Sequence, residues 1–153
     1  MKYNDTRETC TGGVYLVCTL PFTLTGRVME GKHLGRSIGF PTANLSYEPS
    51  AGPWPPEGVY IATVLIEGEN HPHTAILNQG RHPTAPEGAP TVEAHLLDDP
   101  GQSLYGKQLT LTYRQFLRPE TAFASLEDLK NQLQKDRQAA LLWHTQHLLK
   151  GEC

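Results

Sequence analysis

GVYIATVLI at residues 58–66 opens a run of short apolar segments that decides the architecture, followed by TAIL at 74–77, TVEAHLL at 91–97 and QLTLTY at 108–113. Each segment is rich in Val, Ile, Leu, Thr or Tyr and bounded by Gly, Pro, Asn or Asp, the composition of a β-strand. No helical pattern separates one from the next, so the strands should pair antiparallel rather than through crossover helices. Toward the N-terminus, residues 14–20 and 22–29 read the same way and bring the expected strands to six. Six strands in one small domain close best as a barrel.

Past the last strand the periodicity changes. Ser125 and Asp128 form a capping signature ahead of Leu126, Leu129, Leu133 and Ala140, which recur at helical spacing, and the helix is expected to run to about Leu149. The expected fold is therefore mainly β, a six-stranded antiparallel barrel with a C-terminal α-helix packed on it. Residues 46–57 hold Pro49, Pro53, Pro55 and Pro56 and can join neither ladder nor helix, so they read as a surface loop or flap. Asp136 shares the inward helix face and needs a partner there, for which Arg118 is the candidate.

The chain has 153 residues, enough for one ordinary domain. Residues 1–20 read as an N-terminal extension that is partly strand, and 21–150 as the working domain. A net charge of −3, from 13 basic and 16 acidic residues, gives no electrostatic reason to expect nucleic acid or an anionic membrane. Cys10, Cys18 and Cys153 show neither an even count nor close pairing, which points to a reduced, cytoplasmic setting without a disulfide framework. The apolar run at 14–20 is too short for a signal peptide, and no stretch reaches the ~20 apolar residues of a membrane span.

Two strings mislead. Residues 26–33 approach the P-loop pattern, but His33 stands where a magnesium-binding hydroxyl is required, and Gly35, Gly39 and Pro41 break the helix that must follow. Residues 35–39 match G-x-S-x-G around Ser37, yet Pro41 forbids the helix of a nucleophile elbow. His144 and His147 could share a metal but lack a third ligand at suitable spacing, and His71 and His73 read as residues of a solvated turn.

The informative stretch is GRVMEGKHLGRSIGFPTAN, residues 26–44. Glycines at 31, 35 and 39 permit close backbone approach, and N–H groups exposed in such turns make anion-binding concavities. Phosphate is the expected anion. Lys32 and Arg36 can add charge-assisted contacts, while Thr42 and Asn44 offer the hard oxygen ligands that magnesium accepts. In the strand at 91–97, Val92, Ala94 and Leu96 should face the core and Glu93 the other side with His95, where a carboxylate is available for chemistry.

GRSIGFPTAN resembles the signature of the riboflavin kinase family, and the resemblance continues in order through NQGRHPT at 78–84, VEAHLLD at 92–98, LYG at 104–106 and LRPE at 117–120, with Phe123 and Leu129 beyond. It covers roughly residues 21–145. The resemblance implies a Greek-key barrel, ATP and riboflavin as substrates, ADP and FMN as products, and magnesium or another divalent cation such as zinc or manganese as cofactor. It assigns Gly31, Lys32 and Arg36 to the nucleotide loop and Thr42 and Asn44 to nucleotide and metal. Glu93 becomes the general base, and Leu104, Tyr105, Gly106 and Arg118 shape the flavin site. A monomer is expected.

Two departures bear on flavin affinity rather than on phosphate handling: Gln79 replaces a usual aliphatic residue, and Asp99-Pro100-Gly101 replaces a Phe-containing turn. FAD synthesis is not expected, because few residues precede Gly26 and no H-x-G-H string is present. Other readings are a kinase-like barrel that binds flavin or nucleotide without turnover, and an oligonucleotide-binding barrel. Retention of Thr42, Asn44 and Glu93 together opposes the first, and an acidic balance with 8% aromatic residues opposes the second.

Overall fold

In the computed structural model the described residues are 20–29, 42–47, 53–80, 90–98 and 100–149. They form strands β1 (Phe22–Met29), β2 (Thr42–Tyr47), β3 (Gly58–Ile66), β4 (His73–Gly80), β5 (Thr91–Leu96) and β6 (Gln108–Arg118), followed by helix α1 (Leu126–Leu149). The strands close into an antiparallel barrel in the order β1-β2-β5-β4-β3-β6. The expected fold is therefore observed, with differences in where its strands lie.

Of the expected strand at 14–20 only Leu20 is described, as a bend before β1, and the sixth strand is instead β2. Ala43 and Leu45 of β2 point into the barrel while Thr42 and Asn44 take the other face, an alternation that polar neighbours hide in the sequence. Strands β4 and β6 also continue past their apolar segments, through Gly80 and Arg118. Shifts in the β3–β6 register between Val59 and Tyr60 and between Ile61 and Ala62 accommodate the longer β6.

Two apolar layers result. Leu24, Tyr60, Val64, Leu77, Ala94, Leu111 and their neighbours fill the barrel. On its outer surface Val59, Ile61, Ile76 and Leu97 meet Ala140 and Trp143 of α1. Alternation thus serves both layers, since β3 and β4 bury side chains on each face. Ser125 caps α1 by accepting the Asp128 N–H at 3.1 Å, whereas Leu126 stays exposed and adds nothing to the buried face.

The proline-rich connection is not merely a surface loop. Trp54 lies 5.4 Å from the Phe22 ring and 5.1 Å from that of Tyr47, and Pro55 is buried, so part of the segment stoppers one barrel mouth. Gln79 accounts for the anchoring. Its Nε2 donates to the Pro55 carbonyl at 2.7 Å, and its Oε1 accepts the Tyr113 hydroxyl at 2.8 Å. The departure from an aliphatic residue is thus a satisfied polar contact inside the barrel, facing away from β4's outer surface. At the start of β3, Gly58 has φ +149°, and a Cβ there would stand 2.9 Å from the Arg118 carbonyl and 2.6 Å from the Phe116 ring. Only glycine lets β3 and the end of β6 approach so closely.

Candidate active site

Three neighbouring strands present their outward residues in rungs. Asn44 of β2 pairs with Glu93 of β5, which pairs on its other side with Asn78 of β4. One rung along stand Thr42, His95 and Ile76. Residues opposed in this way have Cβ atoms ~4.5–5.5 Å apart, so Glu93 sits with a carboxamide on each side. An open pocket of about 250 Å³ lies over these rungs, roofed by α1 and the chain that leads into it. Leu129 and Leu133 supply apolar walls, and Arg118, Glu120 and Asp136 supply charge.

Arg118 is fixed rather than mobile. Its Nε and Nη2 donate to the two Asp136 oxygens at 3.0 and 2.7 Å, its Nη1 donates to the Pro119 carbonyl at 3.2 Å, and its guanidinium lies 5.9 Å from the Phe123 ring centre. Gln132 adds a third donor to Asp136 at 2.9 Å, so this buried carboxylate is fully engaged. The expected pairing of Asp136 with Arg118 is present.

Thr42 Oγ1 lies 3.0 Å from His95 Nδ1. Burial pushes the His95 pKa down to about 4, although the nearby Asp136 charge opposes that shift. The neutral ring can therefore accept a hydrogen bond from the threonine hydroxyl at Nδ1, which orients that hydroxyl. Thr42 and Asn44 share one face of β2 and carry side-chain oxygens of the kind that could hold a divalent cation. Among the described residues no three His, Cys, Asp or Glu side chains converge as a metal site of their own.

The structure brings Thr42, Glu93 and Arg118 to one pocket and sets Asn44 beside Glu93. Gly31, Lys32 and Arg36 lie outside the described residues. Leu104, Tyr105 and Gly106 are elsewhere. Their turn is tied to β1 by the Gly106 N–H donating to the Val28 carbonyl and by Arg27 Nη1 donating to the Gly106 carbonyl at 2.8 Å. Leu104 packs on the barrel core and Tyr105 is exposed, and none of the three lines the pocket. Sequence reasoning assigned no role to His95, Asn78 or Glu120. Alternation with Glu93 was the available signal for His95, and cross-strand register, which no local pattern reveals, was needed for Asn78.

The histidines of α1 do not form a pair. His144 Nδ1 meets Thr74 Oγ1 at 3.1 Å, while His147 stacks on Trp143 at 4.0 Å and bonds its carbonyl. His73 is not a solvated turn residue, because its two ring nitrogens meet Glu69 at 2.7 Å and Asp98 at 3.1 Å.

The riboflavin kinase family matches residues 18–144 of the chain. The chain belongs to that family. A bifunctional riboflavin kinase/FMN adenylyltransferase of Pseudomonas fluorescens is 43% identical over 121 residues, covering 78% of this chain and 37% of the relative. The enzyme of the same description from Escherichia coli K12 is 41% identical over 120 residues, with the same shares of 78% and 37%. The chain thus spans little more than a third of the length of these relatives. Among solved structures, riboflavin kinase from Trypanosoma brucei superposes with a TM-score of 0.63 at 25% identity, covering 85% of this chain and 83% of that one.

Proposed function

We propose that this riboflavin kinase domain, residues 21–150, transfers the γ-phosphate of ATP to the 5′-hydroxyl of riboflavin, giving FMN and ADP. The observation that carries the reading is the central Glu93, set between Asn44 and Asn78 in a pocket that also holds Thr42 and Arg118. Phosphoryl transfer asks the protein mainly for in-line positioning, charge neutralisation and an acceptor for the hydroxyl proton. Glu93 is the acceptor in this reading, and its strand holds it still. Asn44, beside Glu93 in the same rung, orients phosphate in this reading, while His95 accepts a hydrogen bond from the Thr42 hydroxyl and fixes its direction.

When bound, magnesium neutralises charge on the transferring phosphate and polarises it. Thr42 and Asn44 would hold it, with Gly31, Lys32 and Arg36 contributing to the nucleotide. The apolar strip of Ile76, Leu129 and Leu133 suits a flat aromatic ring, and the Arg118–Asp136 clamp supports that wall. The proposed working form is a cytoplasmic monomer, and the turn of Leu104, Tyr105 and Gly106 keeps the flavin-site role that the family resemblance implies.

Incubation of the chain with riboflavin, ATP and magnesium, followed by chromatography, tests the proposal. FMN should form only when flavin, nucleotide and divalent cation are all present. Flavin binding without FMN after long incubation would instead favour a non-catalytic module.

A further inference from the structure

Two adjacent carboxamides on β4 have different fates. Gln79 points into the barrel with both ends engaged, its nitrogen on Pro55 and its oxygen under the Tyr113 hydroxyl. Asn78 points the other way, into the pocket, and its buried Oδ1 has no hydrogen-bond partner among the described residues. An unpaired buried carbonyl oxygen destabilises a fold, and folded proteins keep few of them.

The neighbouring side chains are directed at other partners, and none of them reaches Asn78 Oδ1. Arg118 gives its nitrogens to Asp136 and the Pro119 carbonyl, and Thr121 Oγ1 meets that same carbonyl at 3.5 Å. The walls at Val59, Ile76 and Leu133 carry no polar side-chain atom. Among the described residues none reaches Asn78 Oδ1, so a donor carried by the ligand can fill that position, close to Glu93, the cross-strand partner of Asn78. At ~4.5–5.5 Å between such Cβ atoms, the donor lies within a carbon or two of the hydroxyl that meets Glu93. The nearest donor that a polyol chain offers there is its adjacent secondary hydroxyl.

We propose that Asn78 is a specificity residue whose Oδ1 accepts a hydrogen bond from the secondary hydroxyl next to the phosphorylated end of the substrate's polyol chain. The proposal rests on the reading of this site as a riboflavin kinase centre. It makes the pocket selective for a hydroxylated side chain and not only for a flavin ring, since an analogue without that hydroxyl leaves the amide oxygen unpaired.

The test compares riboflavin with 4′-deoxyriboflavin as substrates of the parent and of Asn78→Leu, which keeps similar volume without the acceptor. The parent should favour riboflavin in kcat/KM by about 10- to 100-fold, the worth of one hydrogen bond to a buried acceptor. In Asn78→Leu the preference should shrink to within about threefold, while the unliganded thermal midpoint stays level or rises because an unsatisfied group has gone. Retention of the parent's preference by the variant would overturn the proposal, as would a fall in unliganded stability that accounts for the lost activity. If Asn78→Leu fails to fold, Asn78→Ala carries the same comparison. If the parent makes no FMN at all, the kinase reading fails separately, and the two flavins' dissociation constants from fluorescence quenching decide the role of Asn78 by the same criterion.

Discussion

The Arg118 guanidinium grips Asp136 with two nitrogens, Nε at 3.0 Å from Oδ1 and Nη2 at 2.7 Å from Oδ2, and so joins the end of β6 to the buried face of α1. Asp136 is 2% exposed, which makes the pair costly to break from either side. Asp136→Ala should lower unfolding stability by about 3–5 kcal/mol, because it leaves a guanidinium without its counter-charge. Urea unfolding of parent and variant measures this directly. A loss below about 1 kcal/mol would mean that water screens the pair, as at ordinary surface ion pairs.

Inside the barrel the bond from Tyr113 to Gln79 makes a separable demand. Tyr113→Phe removes only the hydroxyl and leaves the Gln79 oxygen unpaired at a site 1% exposed. The expected cost is about 1–3 kcal/mol. Riboflavin affinity should hardly change, since Gln79 faces away from the pocket. A large loss of flavin binding with stability intact would put Gln79 back in the flavin site.

These two pairs mark where the sequence was readable. Asp136 disclosed its inward position through helical spacing, and its need for a cation followed from burial alone. Alternation in TVEAHL likewise separated Glu93 and His95 from the core residues Val92, Ala94 and Leu96. The contacts of Gln79 were not legible, because its partners, Pro55 and the Tyr113 hydroxyl, come from distant segments. Strand β2 was hidden for a related reason: TANLSY has only two inward apolar residues, and its pairing with β1 and β5 supplies the rest of its stability. The Asn44–Glu93–Asn78 rung is a product of register, so no single segment could announce it.

On the far side of the β3–β4 turn, His73 lies between Glu69 and Asp98. Burial alone would lower its pKa, but the bonds and charges of the two carboxylates outweigh it and raise the value above 6.5, while the bond to His73 lowers Glu69 below 4.5. A raised histidine stabilises fully below its unfolded value and loses that contribution as pH climbs through the folded one. A lowered carboxylate stabilises above its unfolded value and loses that contribution on acidification. Both contributions are complete between roughly pH 5 and 6.5. The thermal midpoint of the parent should exceed that of His73→Gln most within this window, by on the order of a degree or two, and the gap should narrow toward pH 9. A difference independent of pH would assign His73 a packing role only.

Thr42 meets His95 with the hydroxyl proposed to bind the metal. Thr42→Ala should impair turnover and raise the magnesium and ATP concentrations required, with riboflavin quenching nearly unchanged. Thr42→Ser keeps the oxygen and should retain more activity. Normal turnover by the alanine variant, with folding preserved, would reduce this end of β2 to a structural strand and move the metal elsewhere.

Glu93 permits the sharpest substitution, because it already stands between two carboxamides, Asn44 and Asn78, and a third is compatible in size and polarity with that rung. Glu93→Gln keeps the shape and hydrogen-bonding reach but removes the basic oxygen proposed to receive the 5′-hydroxyl proton. Loss of a positioned general base costs ~10²–10⁴-fold in rate. The decrease should appear in kcat, with both substrate affinities and the thermal midpoint altered little, since the missing interaction matters as the proton moves. Steady-state kinetics and thermal unfolding on the same preparations separate the outcomes. Loss of folding would make Glu93 structural, whereas a kcat within about twofold of the parent would exclude it as the base. In that second case a phosphate oxygen or solvent must take the proton, and the rung would serve only to position the substrate.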